Sequence, residues 1–240
     1  MKLSVVMPVY NERETIEGIV ARVLSVPIGQ MELVIVDDFS TDGTREALRP
    51  LAGDPRVRVL YHDRNRGKGA ALRTGFAATT GDVVIVQDAD MEYEPHEYPR
   101  VLEPIASGRA DACYGSRFTR GMGGGRMYLG NYAANRFLTL LSNAVSGLWL
   151  TDMETCYKAF RGEVIRSIPI EENRFGFEPE ITAKVAAGDL RVAEVPISYT
   201  GRRRSEGKKI GFRDGLRAIW CIVKYNLRAR RRGGRRARRV

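Results

Sequence analysis

Short apolar, β-branched runs alternate with stretches of helical periodicity through the first half of the chain, and this alternation constrains the fold more than any other feature. The strand-like runs are Leu3–Met7, Glu32–Val36, Val57–Leu60, Asp82–Gln87 and Asp111–Tyr114. Helical patterns fill the gaps at Glu12–Ser25, Thr44–Leu51, Lys68–Thr79 and Pro95–Ser107. Strands separated by helices require right-handed crossovers, which predicts a Rossmann-like α/β fold with a mostly parallel sheet flanked by helices. With 240 residues, 43% of them hydrophobic, one substantial domain with a real core is expected.

The second half reads differently. A Gly-rich loop at Gly121–Gly125 leads into further helical patterns, then a strand at Arg191–Ile197 and a charged loop at Gly201–Gly211. This divides the chain into a main domain over residues 1–211, an amphipathic helix over 212–228 and an Arg-rich tail without regular structure over 229–240. The longest apolar stretch, Phe137–Leu150, is interrupted by Ser142, Asn143, Ser146 and Gly147. It is shorter than the ~18–20 residues that span a bilayer, and it reads as a buried or interfacial helix. The N-terminus shows no basic segment followed by an apolar run, so no secretory signal is expected. Cys113, Cys156 and Cys221 stand apart and suggest no disulfide framework, which fits a reducing compartment. Of the net charge of +10, eight arginines between Arg228 and Arg239 carry most, leaving about +2 for the rest.

Ligands of such sheets sit beyond the carboxyl ends of the strands. Polar signals gather there: Pro8-Val-Tyr10-Asn-Glu12 after the first strand, Asp37-Asp38 after the second, and Asp88-Ala-Asp90 after the fourth. Asp88, Asp90 and Glu92 crowd three like charges behind an apolar strand. A hard divalent cation relieves that repulsion and bridges the acids to the phosphates of a departing nucleoside diphosphate. The competing reading is a solvated acidic turn, with Asp90 capping the next helix. Asp42 and its neighbours Ser40 and Thr41 are the candidate caps of the second helix. Asn65-Arg-Gly-Lys68-Gly opens a helix with the composition of a phosphate cradle, although it lacks P-loop spacing. Arg117, Arg126, Arg202 and Lys208, in Gly-flanked loops, supply cations for phosphates that enter and leave. His62 and His96 share no metal-ligand spacing and read as structural or surface residues.

Pro8-Val-Tyr-Asn-Glu12, Val36-Asp-Asp38, Asn65-Arg-Gly-Lys-Gly69, Asp88-Ala-Asp90 and Gly115-Ser-Arg117 together resemble the inverting, GT-A-fold family-two glycosyltransferases. Asp152-Met-Glu-Thr-Cys-Tyr-Lys-Ala-Phe-Arg161, Glu194-Val-Pro-Ile197 and Arg202-Arg-Arg-Ser-Glu-Gly-Lys208 resemble the dolichyl-phosphate mannose synthase branch of that family. The resemblance implies transfer of a hexose from a nucleoside-diphosphate sugar, GDP-mannose or a UDP-hexose, to a polyprenyl phosphate. It implies that Pro8, Tyr10, Glu12, Asp37 and Asp38 line the nucleoside pocket. Asp90 and Glu92 would ligate Mg²⁺ or Mn²⁺ with Asp88 nearby, while Arg117, Arg126, Arg202 and Lys208 grip the phosphates beside Lys68. Asp152 falls near the acceptor. A phosphate nucleophile is already ionised at neutral pH, so Asp152 is expected to orient more than to act as a base. Glu92 stands where relatives often carry Gln, and many relatives append transmembrane helices.

Phe212, Leu216, Ile219, Trp220, Val223 and Leu227 recur at helical spacing beside the Arg-rich tail. That pattern suits either core packing or an anionic membrane surface, and a peripheral position on the cytoplasmic face is expected. No base-reading motif accompanies the tail, so nucleic acid is not expected as a partner. A separate membrane-protein partner is compatible with a chain lacking its own span. A processive polysaccharide synthase would need a Gln-x-x-Arg-Trp motif, and the only glutamines are Gln30 and Gln87. A transferase acting on a soluble acceptor and a non-catalytic nucleotide-sugar-binding adaptor are the remaining alternatives.

Overall fold

The computed structural model describes residues 1–119, 129–188, 190–201, 212–231 and 238–239. An eight-stranded sheet in the order β3-β2-β1-β4-β6-β5-β7-β8 forms its spine. The strands are β1 (Leu3–Val9), β2 (Met31–Asp37), β3 (Val57–Tyr61), β4 (Val83–Val86), β5 (Ala112–Ser116), β6 (Lys158–Arg161), β7 (Arg191–Pro196) and β8 (Arg238–Arg239). Only β6 runs against the others, pairing antiparallel with β4 and β5. The five strands expected in the first half are all present, each within two residues of its expected ends. Lys158–Arg161 is an addition, too short and too polar at its ends to register as an apolar run.

The helices are α1 (Ile16–Ser25), α2 (Thr44–Leu51), α3 (Lys68–Ala78), α4 (Tyr98–Ala106), α5 (Leu129–Ser146), α6 (Gly162–Ser167), α7 (Phe177–Ala187) and α8 (Phe212–Arg231). Asp42 accepts from the Thr44 N–H at 3.0 Å just ahead of α2, but the cap residue is Gly43, in left-handed backbone, and not Ser40, Thr41 or Asp42. α3 lies tight on the sheet because Gly69, Ala70, Ala71 and Gly75 are small; a Cβ at Gly75 would collide with Val6. The core gathers Val5, Met7, Leu33, Ile35, Ile85, Tyr114 and Phe160, all closed to solvent. Each such side chain contributes about 1.5–3 kcal/mol through burial.

The last helix presents two different faces. Ala218, Cys221, Ile222 and Tyr225 are buried as α8 packs on α5 and α7. Leu216, Trp220, Val223 and Leu227 point outward and remain 41–54% exposed. The helix runs to Arg231, three residues beyond the expected boundary at residue 228, and β8 lies within the Arg-rich segment. Phe137–Leu150 falls mostly on α5, where Phe137 and Leu140 are exposed and Leu138 is buried. No helix among the described residues is long and apolar enough to cross a membrane.

Candidate functional site

A cleft of about 680 Å³ opens over the carboxyl ends of β1, β2 and β4, where the strand order predicts it. Backbone strain marks all three strand exits. The non-glycine residues with left-handed backbone among those described are Asn11 (φ 52°), Phe39 (φ 68°) and Met91 (φ 64°), and each lies just beyond one of these strands. Such conformations cost about 1–3 kcal/mol each and concentrate where a site dictates the local geometry.

Pro8, Tyr10 and Glu12 line the cleft together with Asp38, Lys68, Asp88, Asp90, Glu92 and Arg117. Asp37 does not. Its carboxylate lies fully buried beneath, 2.5 Å from Arg45 Nε, so it anchors α2 and does not face the cleft. Alternation along β2 explains the split between neighbours. Asp37 shares parity with Leu33 and Ile35 in the main core, whereas Asp38 shares it with Val34 and Val36, which pack against α3. Asp38 accepts from the N–H groups of Arg66 (2.8 Å) and Gly67 (2.6 Å) and bonds His62 Nδ1 at 2.7 Å. Its carboxylate therefore holds the loop that opens α3. His62 is structural, as its sequence setting suggests, and His96 is a surface residue.

The acidic element after β4 divides its tasks. Asp88 pairs with Lys68 Nζ at 2.9 Å, and Lys68 reaches Glu178 of α7 at 3.1 Å. Burial works against the lysine charge, but the two carboxylates outweigh it and hold its pKa well above the usual value. Asp90 accepts from the Glu92 N–H at 3.2 Å, closing a tight turn rather than capping a helix. Glu92 accepts from Tyr199 OH at 2.7 Å, and burial together with Glu92 pushes the Tyr199 phenol up. Cys156 also lines the cleft, and burial keeps its thiol protonated. Among the described residues no three His, Cys, Asp or Glu side chains form a ready metal cage. Asp90 and Glu92 nevertheless form an all-oxygen donor set, which suits a hard cation that completes its coordination with diphosphate oxygens and water.

Arg117 and Asp152 form one unit. Arg117 presents Nε and NH2 to the two Asp152 oxygens at 2.6 and 2.7 Å, and its backbone N–H donates to Oδ2 at 3.1 Å. Asp152 is fully buried. Burial opposes the Arg117 charge, but Asp152 more than restores it and the arginine pKa rises. The Arg117 guanidinium also lies over the Tyr199 ring. Glu194 supports the pair by accepting from the Thr151 N–H at 2.8 Å. Asp152, expected near the acceptor, is thus the counter-ion of a cleft arginine. Arg126, Arg202 and Lys208 lie outside the described residues.

Arg174, Glu178 and Tyr199 line the cleft without a local sequence signal, and Glu154 does so from within the Asp152–Arg161 segment without being singled out there. Arg174 and Glu178 arrive from the segment before and within α7. That segment crosses the opening of α3, where the Ala70 N–H donates to Asn173 O at 3.1 Å and a Cβ on Gly67 would strike the same carbonyl. Arg174 is exposed at the cleft, with no carboxylate partner among the described residues. The opposite rim, from α5 and α8, mixes polar and apolar side chains: Asn131, Asn135 and Asp214 line it beside the exposed Phe137 (57%) and Leu216 (54%).

The sequence profile described as Glycosyl transferase family 2 matches residues 4–168. An undecaprenyl-phosphate mannosyltransferase of Micrococcus luteus is 33% identical over 97% of this chain and 97% of its own length. A dolichol-phosphate mannosyltransferase of Pyrococcus furiosus is 30% identical over 94% of this chain, which spans 64% of that relative. Among solved structures, glucosyl-3-phosphoglycerate synthase from Mycobacterium tuberculosis, in complex with Mn²⁺, UDP and glucosyl-3-phosphoglycerate, superposes with a TM-score of 0.70. That likeness covers 93% of this chain and 79% of the other at 21% identity, and it speaks to the fold alone.

Proposed function

Because this chain belongs to glycosyl transferase family 2, we propose that it transfers a hexose from a nucleoside-diphosphate sugar to a polyprenyl phosphate, with inversion at the anomeric carbon. The chain is a glycosyltransferase with a GT-A fold, and relatives matched along most of its length are named for transfer to lipid phosphates. The observation that carries the acceptor assignment is the pair of exposed apolar side chains on that rim. Phe137 and Leu216 border the cleft, and Leu216 continues into the exposed stripe Trp220, Val223 and Leu227 along α8. A soluble acceptor needs no such border, whereas a lipid phosphate rising from a bilayer surface does.

Each part of the cleft then has a task. Pro8, Tyr10 and Glu12 flank the nucleoside, and Asp38 holds the Arg66–Gly67 turn beside it. Asp90 and Glu92 would hold Mg²⁺ or Mn²⁺, which neutralises charge on the departing diphosphate. Lys68 is spent on Asp88 and Glu178, so it organises the floor. Arg117, locked by Asp152, presents a fixed guanidinium to phosphate, and the exposed Arg174 is a second, with no carboxylate partner among the described residues. Arg126, Arg202 and Lys208 belong to the same proposal on their sequence positions. The acceptor phosphate enters ionised, so catalysis rests on positioning and electrostatics, with no proton acceptor required.

The stripe and its flanking cations support a position of α8 on an anionic membrane surface. Arg217 and Lys224 lie over the Trp220 ring at 4.2 and 4.3 Å, the amphipathic arrangement of an interfacial helix. A separate membrane-protein partner is compatible with this face. The test is transfer of radiolabelled sugar from GDP-mannose and UDP-glucose to polyprenyl phosphate in vesicles, with and without Mn²⁺. Lipid-linked product supports the reading. Product formed only on a small soluble acceptor rejects it.

A further inference from the structure

One carboxyl group in the cleft is used by nothing described above. Glu154 follows the Asp152 turn and lines the cleft beside Cys156 and Glu178, yet its Oε1 is closed to solvent and has no hydrogen-bond partner among the described residues. A buried, unpartnered carboxyl oxygen is destabilising, and such a group in a native protein marks a functional role or a bound molecule. Burial, reinforced by the Glu178 carboxylate, pushes the Glu154 pKa up to about 8. The group thus carries its proton at neutral pH.

Its surroundings narrow what that ligand is. Asp88 and Glu178 make this wall acidic, and the Lys68 ammonium between them is shared by both. Lys158, the next cation, is fully buried and donates to the carbonyls of Met153 and Thr155. Among the described residues here, neither lysine is free to receive a phosphate. The Arg117 guanidinium, whose charge also acts on Glu154, is forked onto Asp152. A protonated carboxyl on this acidic wall suits a polar, uncharged portion of substrate. In a nucleoside-diphosphate sugar, the hexose ring is the part rich in uncharged hydroxyls, and it adjoins the diphosphate held at Asp90. A neutral carboxyl offers one donor and one acceptor, which matches a pair of neighbouring hydroxyls.

We propose that Glu154 is a sugar-recognition residue, whose carboxyl pairs with ring hydroxyls of the donor hexose and sets which hexose is transferred. This rests on the glycosyltransferase reading above. It adds a selectivity determinant that acts on the sugar and not on the nucleotide.

The experiment compares the full chain with Glu154→Ala and Glu154→Gln across GDP-mannose, UDP-glucose and their single-deoxy analogues, using polyprenyl phosphate as acceptor. Binding of bare GDP and UDP is measured alongside. In the parent chain, one deoxy position should lower kcat/KM by ~10- to 100-fold, the range of one or two hydrogen bonds to an otherwise unpaired buried group. Glu154→Ala should erase that particular penalty, so that deoxy and full donors become equivalent, while bare nucleotide affinity stays unchanged. Glu154→Gln, which keeps a donor and an acceptor of the same shape, should retain most of the penalty and reports on the site even if the alanine variant folds poorly. Deoxy penalties that persist unchanged in a folded Glu154→Ala, or in Glu154→Gln nucleotide affinity lost in step with transfer, overturn the proposal alone. A parent chain that turns over none of these donors overturns the transferase reading and this one with it.

Discussion

Replacing Asp152 by Asn tests whether this residue is a base or the anchor of Arg117. The structure gives a fully buried carboxylate with both oxygens engaged by Arg117 side-chain nitrogens at 2.6 and 2.7 Å and one also by its backbone N–H. Asparagine keeps the shape but turns an NH₂ toward a guanidinium and leaves the arginine charge buried without compensation. Breaking such a pair costs about 3–5 kcal/mol. For a chain of this size each kcal/mol moves Tm by about 2–4 °C, so a loss of roughly 6–20 °C is expected. Pairing the change with Arg117→Met removes the stranded charge as well, and the double variant should be markedly less destabilised than the sum of the two singles. Chemical denaturation of the four chains gives this coupling directly. Activity does not discriminate, because both readings predict its loss. If Asp152→Asn melts with the parent chain and its effect adds independently to that of Arg117→Met, the anchoring argument is refuted.

Three further outcomes follow from other parts of the structure. Gly67 has φ 93°, and a Cβ there would strike Asn173 O, so Gly67→Ala should shift the α3 opening and weaken UDP or GDP binding by ~10-fold in calorimetry; unchanged affinity would count against a nucleotide role for this turn. Glu154, with its pKa raised from 4.5 to about 8 in the folded chain, binds more protons folded than unfolded between those values. Its stabilising share is therefore full below pH 4.5 and lost as pH rises through 8, so Glu154→Gln should raise Tm more at pH 8 than at pH 5; equal shifts at both pH values would contradict the burial argument. Leu216→Asp with Trp220→Ser removes two exposed apolar groups from the cleft rim and α8, and should weaken sedimentation with anionic vesicles by at least ~10-fold while leaving nucleotide binding intact.

Much of this was legible in the residues because the sheet repeats a local pattern. β1 to β5 and their helices follow from apolar runs bounded by turn signals, and the strand ends then bring Pro8, Tyr10, Glu12, Asp38 and the Asp88–Glu92 turn together. What escaped is what local pattern cannot encode. β6 is four residues long and antiparallel, and its place is set by its neighbours. Asp37 and Asp38 look equivalent in the sequence, but strand parity sends one under the sheet to Arg45 and the other to the α3 opening. Glu178 and Arg174 reach the cleft from roughly a hundred residues beyond Lys68, through a segment seated on Gly67 and Gly69. No spacing rule connects such positions. Asp152 shows the converse: its placement near the site was legible, but its role emerged only with the Arg117 fork in view.

The most direct measurement is transfer of radiolabelled hexose to polyprenyl phosphate in vesicles and to 3-phosphoglycerate in solution, by the parent chain and by Asp90→Ala. Lipid-linked product from the parent chain, little or none on the soluble acid, and at least a ~100-fold loss on Asp90→Ala are expected. Preferential labelling of the soluble acid, or full lipid transfer by Asp90→Ala, would contradict this expectation.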